Sequence, residues 1–237
     1  MIHRAKFSLV AMLGAATLLI GISSVAAPPA LAKGTKPKVL LQDPLSKADK
    51  AVRPSVDPAG QGQVTWSFVN HQFQGQDISP DDAHTYAPKF KNQGTIALAN
   101  ITTEVQVALL PNPQSSGAVL CRANGLSGAA QAFYSLVTFA SGDYRVEKYI
   151  AGTYQHLATG TFQPQKSNHL TLTCAGPGQP GPTDTVTFTG SVNGQTFTAQ
   201  DSSSPYPGGN MEFQVGGATA QAPGGASFSN LKVTQNS

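Results

Sequence analysis

Three glutamates are present in the chain, Glu104, Glu147 and Glu212, and none lies two or four residues from another. Retaining glycoside hydrolysis needs two carboxyl groups about 5–5.5 Å apart. Asp143 and Glu147 share strand parity, but four positions along a strand is about 13 Å, and Asp143 belongs to a turn. These acids read as solvated surface charges. A serine triad lacks a G-x-S-x-G context. His71, His84, His156 and His169 are dispersed without H-x-H or H-E-x-x-H spacing, so no zinc site or other metal centre is expected. Asp81-Asp82 with His84 would suit a cation only weakly, because loop acids ordinarily solvate the chain. No cofactor motif appears.

Carbohydrate binding asks for less: an aromatic face against the sugar ring and a few polar groups for its hydroxyls. Arg145, Glu147 and Tyr149 fall on one face of a strand, with Tyr144, Val146 and Ile150 on the other. If the second set faces the core, the first lines an outer or concave surface. Tyr134, Tyr206 and Arg122 are further ligand candidates, and Arg122 and Asn124 equally suit capping of a turn.

The elements that position these residues are strands. Residues 117–150 form three short strands joined by two glycine-bearing turns, Asn124-Gly125 and Ser141-Gly142-Asp143. Val39–Leu41 is a possible first strand, followed by loop to about residue 63. Val64–Phe68 alternates and carries the single tryptophan, Trp66. Residues 70–94 are expected to be a long surface loop with a short strand near Phe73. Ile101, Val105, Val107 and Leu109 mark a half-buried strand that Pro111 ends. Asn100-Ile101-Thr102 matches a glycosylation sequon, a signal too short to carry weight. Tyr154–Thr161 is a weaker strand, and 168–175 alternates cleanly. Asn193-Gly194 between 186–192 and 195–199 is the strongest hairpin signal. Residues 177–184 and 201–210 are loops; Met211–Val215 and Leu231–Val233 close the chain. No 3.6-residue period persists over three turns. The strand spacing predicts an all-β sandwich of about eleven to thirteen strands.

The N-terminus is basic at His3, Arg4 and Lys6, then apolar from Phe7 to Ile22, and ends in Ala30-Leu31-Ala32. That pattern is a secretory signal peptide over 1–32, followed by a linker at 33–37 and one domain at 38–237. The alternative is a retained anchor, which Pro28 and Pro29 disfavour. No later stretch approaches the ~20 apolar residues needed to span a membrane. Cleavage takes the formal charge from +3 to +1 and leaves 205 residues. Such a chain has no basic patch for nucleic acid. Charged residues are 11% of the chain, against about 25% in an average domain. An oxidising compartment favours pairing of Cys121 with Cys174, both of which alternation points inward.

Residues Gly117–Gly125, the Phe133-Tyr134 strand, Tyr144–Tyr149, Leu170–Cys174, the Val192-Asn193-Gly194 hairpin and Phe228–Val233 resemble the concanavalin A-like superfamily. Within it, the pattern resembles the laminin-G-like and 3-keto-disaccharide hydrolase-like domains of bacterial secreted and sensor proteins. Leu41–Ser46 is similar to a degraded form of the family's opening strand. The resemblance covers about residues 38–235, and its motifs chiefly record strand and turn requirements. It implies a two-sheet antiparallel jelly-roll sandwich with the first and last strands side by side. Glycosidases of that superfamily carry an E-x-D-x-E strand, which this chain lacks. The expectation is therefore a secreted, monomeric, non-catalytic module for an extracellular or cell-wall glycan. The alternatives are a glycoside-processing enzyme similar to 3-keto-disaccharide hydrolases, or a structural, protein-binding domain. Mass spectrometry of the exported protein should show a chain starting at Lys33, with free thiols appearing only after reductant. Thiols in the unreduced protein would refute the pairing.

Overall fold

The computed structural model describes residues 36–56, 64–78, 84–88, 98–124, 131–219 and 222–236. The expected signal peptide and most of the linker lie outside these residues, as do Asp81, Asp82 and Gly125. The domain spans Thr35–Ser237. Its described elements are all strands: β1 (Lys38–Asp43), β2 (Ser55–Val56), β3 (Val64–Val69), β4 (Gln72–Asp77), β5 (His84–Tyr86), β6 (Ile101–Leu109), β7 (Ser116–Asn124) and β8 (Ala132–Phe139). They continue with β9 (Asp143–Ile150), β10 (Thr153–Thr161), β11 (Asn168–Ala175), β12 (Val186–Val192), β13 (Gln195–Asp201), β14 (Asn210–Gly216) and β15 (Gly224–Gln235).

These strands form two antiparallel sheets. One has nine strands, ordered β13-β12-β11-β6-β15-β4-β3-β2, with β1 also paired to β15. The other has six, ordered β10-β9-β8-β7-β14-β5. The first and last strands do lie side by side, Val39 opposite Thr234 and Asp43 opposite Leu231. β15 is far longer than Leu231–Val233 because it serves three partners, β6 along one edge and β4 and β1 in turn along the other. Gly224–Phe228 pairs with β4 and Leu231–Gln235 with β1, and a register shift between Ser229 and Lys232 separates the two halves.

Within the stretch 70–94, the described residues hold more strand than its polarity suggests. Gln72–Asp77 is a full strand between β3 and β15, because Phe73 drops into the core against Trp66. The Trp66 and Phe73 rings stack at 5.4 Å, Phe73 meets Tyr86 edge-on at 4.8 Å, and Phe213 stacks on Phe228 at 4.4 Å. These aromatics fill one end of the space between the sheets.

Towards the other end, Cys121 of β7 is bonded to Cys174 of β11, with their Cα atoms 6.5 Å apart. Both are fully buried, and the bond ties one sheet to the other. The turn of the β12–β13 hairpin is also as expected: Asn193 and Gly194 have φ of 50° and 83°, the left-handed pair of a type I′ turn. With the cysteines 53 positions apart in sequence, replacing both by serine should cost about 4 kcal/mol in the chain-entropy account. Urea unfolding of the two proteins measures it, and equal midpoints would refute this role.

Candidate functional site

On β9, Tyr144, Val146 and Lys148 point between the sheets, while Arg145, Glu147 and Tyr149 point to the outer face of the six-stranded sheet. The expectation for this face is met except at Ile150, which is 51% exposed. It ends the strand at a tight turn, where Ala151 and Gly152 have φ of 50° and 88°. That two-residue turn sets the β9–β10 register, placing Tyr154 opposite Tyr149 and His156 opposite Glu147.

The outer face is concave. Gln214 Nε2 of β14 donates to Tyr154 Oη of β10 at 3.4 Å, although β7, β8 and β9 lie between those strands. Four strand steps in a flat sheet span about 19 Å, more than the two side chains reach. The sheet must curl, and small side chains on its central strands, Ala118 and Ser135, leave room for the flanks to approach. Within the curl lies a cavity of about 230 Å³, lined by Ser116, Val137, Phe139, Arg145, Glu147, Tyr154, His156 and Gln214.

Glu147 is the polar centre of this cavity. Its Oε1 lies 3.2 Å from His156 Nε2 and 3.8 Å from an Arg145 nitrogen. Burial raises its pKa, and the nearby His156 and Arg145 only partly offset that. Arg145 has a 42% exposed side chain and lies over the Phe139 ring at 4.6 Å, a cation–π contact that orients the guanidinium. Tyr149 stacks on Phe133 at 4.7 Å, and Tyr154 leans on Tyr149 at 4.7 Å. Burial pushes the Tyr154 phenol up to about 12, so it keeps its proton at neutral pH.

Two sequence candidates lie apart from this cavity. Arg122 and Tyr134 are fully buried away from the cavity. Arg122 sits at a register shift in β7 with φ of 51°. Its guanidinium donates to the carbonyls of Ala99, Gly176, Pro177 and Tyr206 at 2.8–3.0 Å. Burial lowers its pKa. The turn-setting reading of Arg122 is the one its contacts support.

Tyr134 faces the core, where its hydroxyl donates to Asp201 at 2.6 Å and accepts the Tyr206 backbone N–H at 2.9 Å. Lys148 Nζ joins Asp201 at 2.8 Å. Burial raises the Asp201 pKa, but the hydrogen bonds from Lys148, Tyr134 and the Ser203 N–H outweigh it and hold the carboxyl below its ordinary value. Tyr206 also turns inward, its hydroxyl donating to the Tyr149 carbonyl at 3.0 Å. Within the 201–210 stretch, Pro205, Tyr206, Gly208 and Gly209 are therefore packed in, while Ser202, Ser203 and Ser204 stay exposed.

Four lining residues of the cavity carry a signal the sequence reading passed over. Tyr154 and His156 follow from the Ala151-Gly152 turn once two-residue pairing is assumed. Val137 and Phe139 follow from the alternation of β8. Gln214 and Ser116 carry none, because only the curl of the sheet brings them in. Among the described residues no group of three or more His, Cys, Asp or Glu side chains could hold a metal ion. No helix of the described residues is long and apolar enough to cross a membrane.

Glu212 shares the concave face, opposite Leu120, and is nearly inaccessible. Burial raises its pKa above the ordinary 4.5, against hydrogen bonds from Thr85 and Asn210 that lower it. The native state therefore keeps this proton where the unfolded chain has lost it. Its contribution to stability is fullest below the unfolded pKa and is lost as pH rises through the folded one. Glu212→Gln should raise the melting temperature at neutral pH and lose that advantage below about pH 4.5. A gain independent of pH, in melts run across that range, would overturn this.

No family model matches the chain, and no characterised protein matches it in sequence. Solved structures do resemble it. The marine PL-14 alginate lyase from Aplysia kurodai superposes with a TM-score of 0.55 at 10% identity, covering 84% of this chain and 99% of the lyase. A prokaryotic β-1,3-1,4-glucanase (lichenase) from a mouse hindgut metagenome gives 0.55 at 10% identity, over 83% and 98%. The Bacillus licheniformis β-glucanase gives 0.52 at 10% identity, over 84% and 99%. At such identity the likeness is one of fold: the chain is a concanavalin A-like jelly-roll sandwich.

Proposed function

We propose that this protein is a secreted, non-catalytic glycan-binding module whose ligand sits on the concave face of the six-stranded sheet. The observation that carries this reading is the lining of the cavity. Val137 and Phe139 supply apolar surface, Tyr154 an aromatic wall, and Arg145, His156, Gln214 and Ser116 polar groups around Glu147. That combination suits a sugar, with C–H faces above and below and hydroxyls around its edge. The solved structures of like fold include enzymes named for alginate and β-glucan, which supports a polysaccharide as the ligand class.

The non-catalytic part rests on carboxylates. One, Glu147, lines the cavity. Glu212 lies three strands away on the same sheet and is not among the residues that line the cavity, and Glu104 is paired with Lys232 on the other sheet. Export rests on the 1–32 leader and on the cystine at Cys121–Cys174, a bond that suits an oxidising compartment. A monomer acting on extracellular or cell-wall glycan follows from the same reading. The runner-up, a glycoside-processing enzyme, draws on the burial-raised pKa of Glu147, which would suit a general acid.

A glycan array followed by calorimetry tests the proposal. The wild type should bind, and Arg145→Ala should weaken binding by about tenfold, the loss of one hydrogen bond to a charged group. Turnover of glycans or keto-glycosides that disappears in Glu147→Gln would replace the reading with the enzymatic one. Absence of any glycan binding would favour a protein-binding domain.

A further inference from the structure

We propose that the exposed cations of β1 and the β1–β2 connection form a docking margin for an acidic polysaccharide chain. This surface stands apart from the concave cavity and does not depend on a sugar being bound there.

The formal charge of +1 after cleavage conceals an uneven distribution. Residues 33–53 hold six basic and two acidic residues, whereas 54–237 hold seven and ten, so the first stretch stands at +4 and the rest at −3. Folding then separates the signs within the stretch. Asp43 is nearly inaccessible and accepts the Leu45 N–H at 2.6 Å. Asp49 accepts the N–H groups of Ala51 and Val52 at 2.6 and 2.9 Å. Lys36, Lys38, Lys47, Lys50 and Arg53 are exposed.

The cations elsewhere are mostly committed. Arg122 and Lys148 are buried, Lys232 meets Glu104 at 2.8 Å, and Arg145 lies against Glu147. Outside the stretch, Lys166 is the one described lysine or arginine that is exposed and in no ion pair.

The topology makes the stretch a margin. β1 pairs with β15 along one edge, and its other edge meets no described strand. The six residues of β1 cover about 20 Å, and the connection carries Lys47, Lys50 and Arg53 beyond Asp43. Lysines along a line offer separate point charges without a fixed fork. That suits charges spaced along a flexible chain better than one small anion.

The neighbouring surface selects the chain. On the outer face of the nine-stranded sheet, Thr198, Thr189, Thr173, Thr102 and Thr234 lie in register across five strands. In the next row Gln42 of β1 lies opposite Lys232. Neither row carries an aromatic ring on which a nucleic-acid base could stack. Val39 is the one exposed large apolar side chain of β1, too little apolar surface to hold a lipid interface. A polymer bearing both carboxylates and hydroxyls matches the cations and the hydroxyl field together. The cavity opens on the outer face of the other sheet, so a chain held at the margin leaves it open.

Affinity electrophoresis and calorimetry of the exported, leader-free protein on polygalacturonate test this, with polyphosphate, duplex DNA and phosphatidylglycerol vesicles as comparators. Polygalacturonate should bind at low ionic strength more tightly than any of these, and salt should release it as the exposed charges are screened. Lys36→Gln, Lys38→Gln, Lys47→Gln and Lys50→Gln combined should weaken it about thirtyfold, the scale of four exposed charge contacts. Lys166→Gln should leave it unchanged. The four replaced side chains are exposed, so an unchanged melting temperature verifies the fold, and neutral glycan bound at the cavity should be held equally by the fourfold variant. Equal polygalacturonate affinity in that variant and the wild type overturns the margin, as does tighter binding of polyphosphate, DNA or vesicles. A wild type that holds polygalacturonate but no neutral glycan leaves the margin standing and removes the cavity reading.

Discussion

A buried guanidinium that, among the described residues, is held by backbone carbonyls is the constraint on which one end of the sandwich depends. Arg122 is wholly removed from water, and a charge in that position is tolerated only if its N–H groups are used. Four of its five are used, through the two terminal nitrogens, on carbonyls drawn from the entry to β6, the exit of β11 and the β13–β14 loop. A lysine has neither the planar fork nor the number of donors to do this. Next to it in sequence, Cys121 holds the same end of the two sheets together. The loops there are consequently fixed by the framework and not by a ligand.

That fixed loop also decides which way β9 faces. Asp201 and the carbonyls of Ser203 and Ser204 hold the Lys148 ammonium between the sheets. Since successive side chains alternate, an inward Lys148 sends Glu147 and Tyr149 outward. The polar network between Tyr134, Asp201 and Lys148 thus acts on the cavity from behind, without touching it. A lysine on the core face of a strand contradicts simple hydrophobic alternation, and only the neighbouring acid makes it stable. The site is built by positioning groups in the interior as much as by the residues that line it.

Alternation made the strands of residues 101–150 and 168–199 legible, and it put Arg145, Glu147 and Tyr149 on one face. It also paired the cysteines, because both occupied inward positions. It failed where one position answered to something outside its own strand. Arg122 breaks parity at a register shift, Tyr134 has a polar tip whose partner lies 67 residues away, and Ile150 is turned out by a hairpin. Gln72–Asp77 read as loop with only a short strand near Phe73, because four of its six residues are polar or acidic, yet Phe73, Gly75 and Asp77 all turn inward. The cavity was half legible for a geometric reason. Neighbouring strands can be registered from a turn, but residues four strands apart meet only through curvature, which no local pattern encodes.

β10 reads as a weak strand because it contains an irregularity. Between His156 and Ala158 the register slips by one residue against β9, so Leu157 and Ala158 both turn towards the interior while His156 stays opposite Glu147. β10 is also the outermost strand of its sheet, with one row of backbone groups open to other chains. A regular, uncharged edge of this kind is a template for unwanted strand addition between molecules. The slip twists the edge and interrupts that template. The irregularity that aims a histidine into the cavity therefore also protects a chain with few charges against self-association. A mutation that straightened β10 would endanger solubility before it altered recognition.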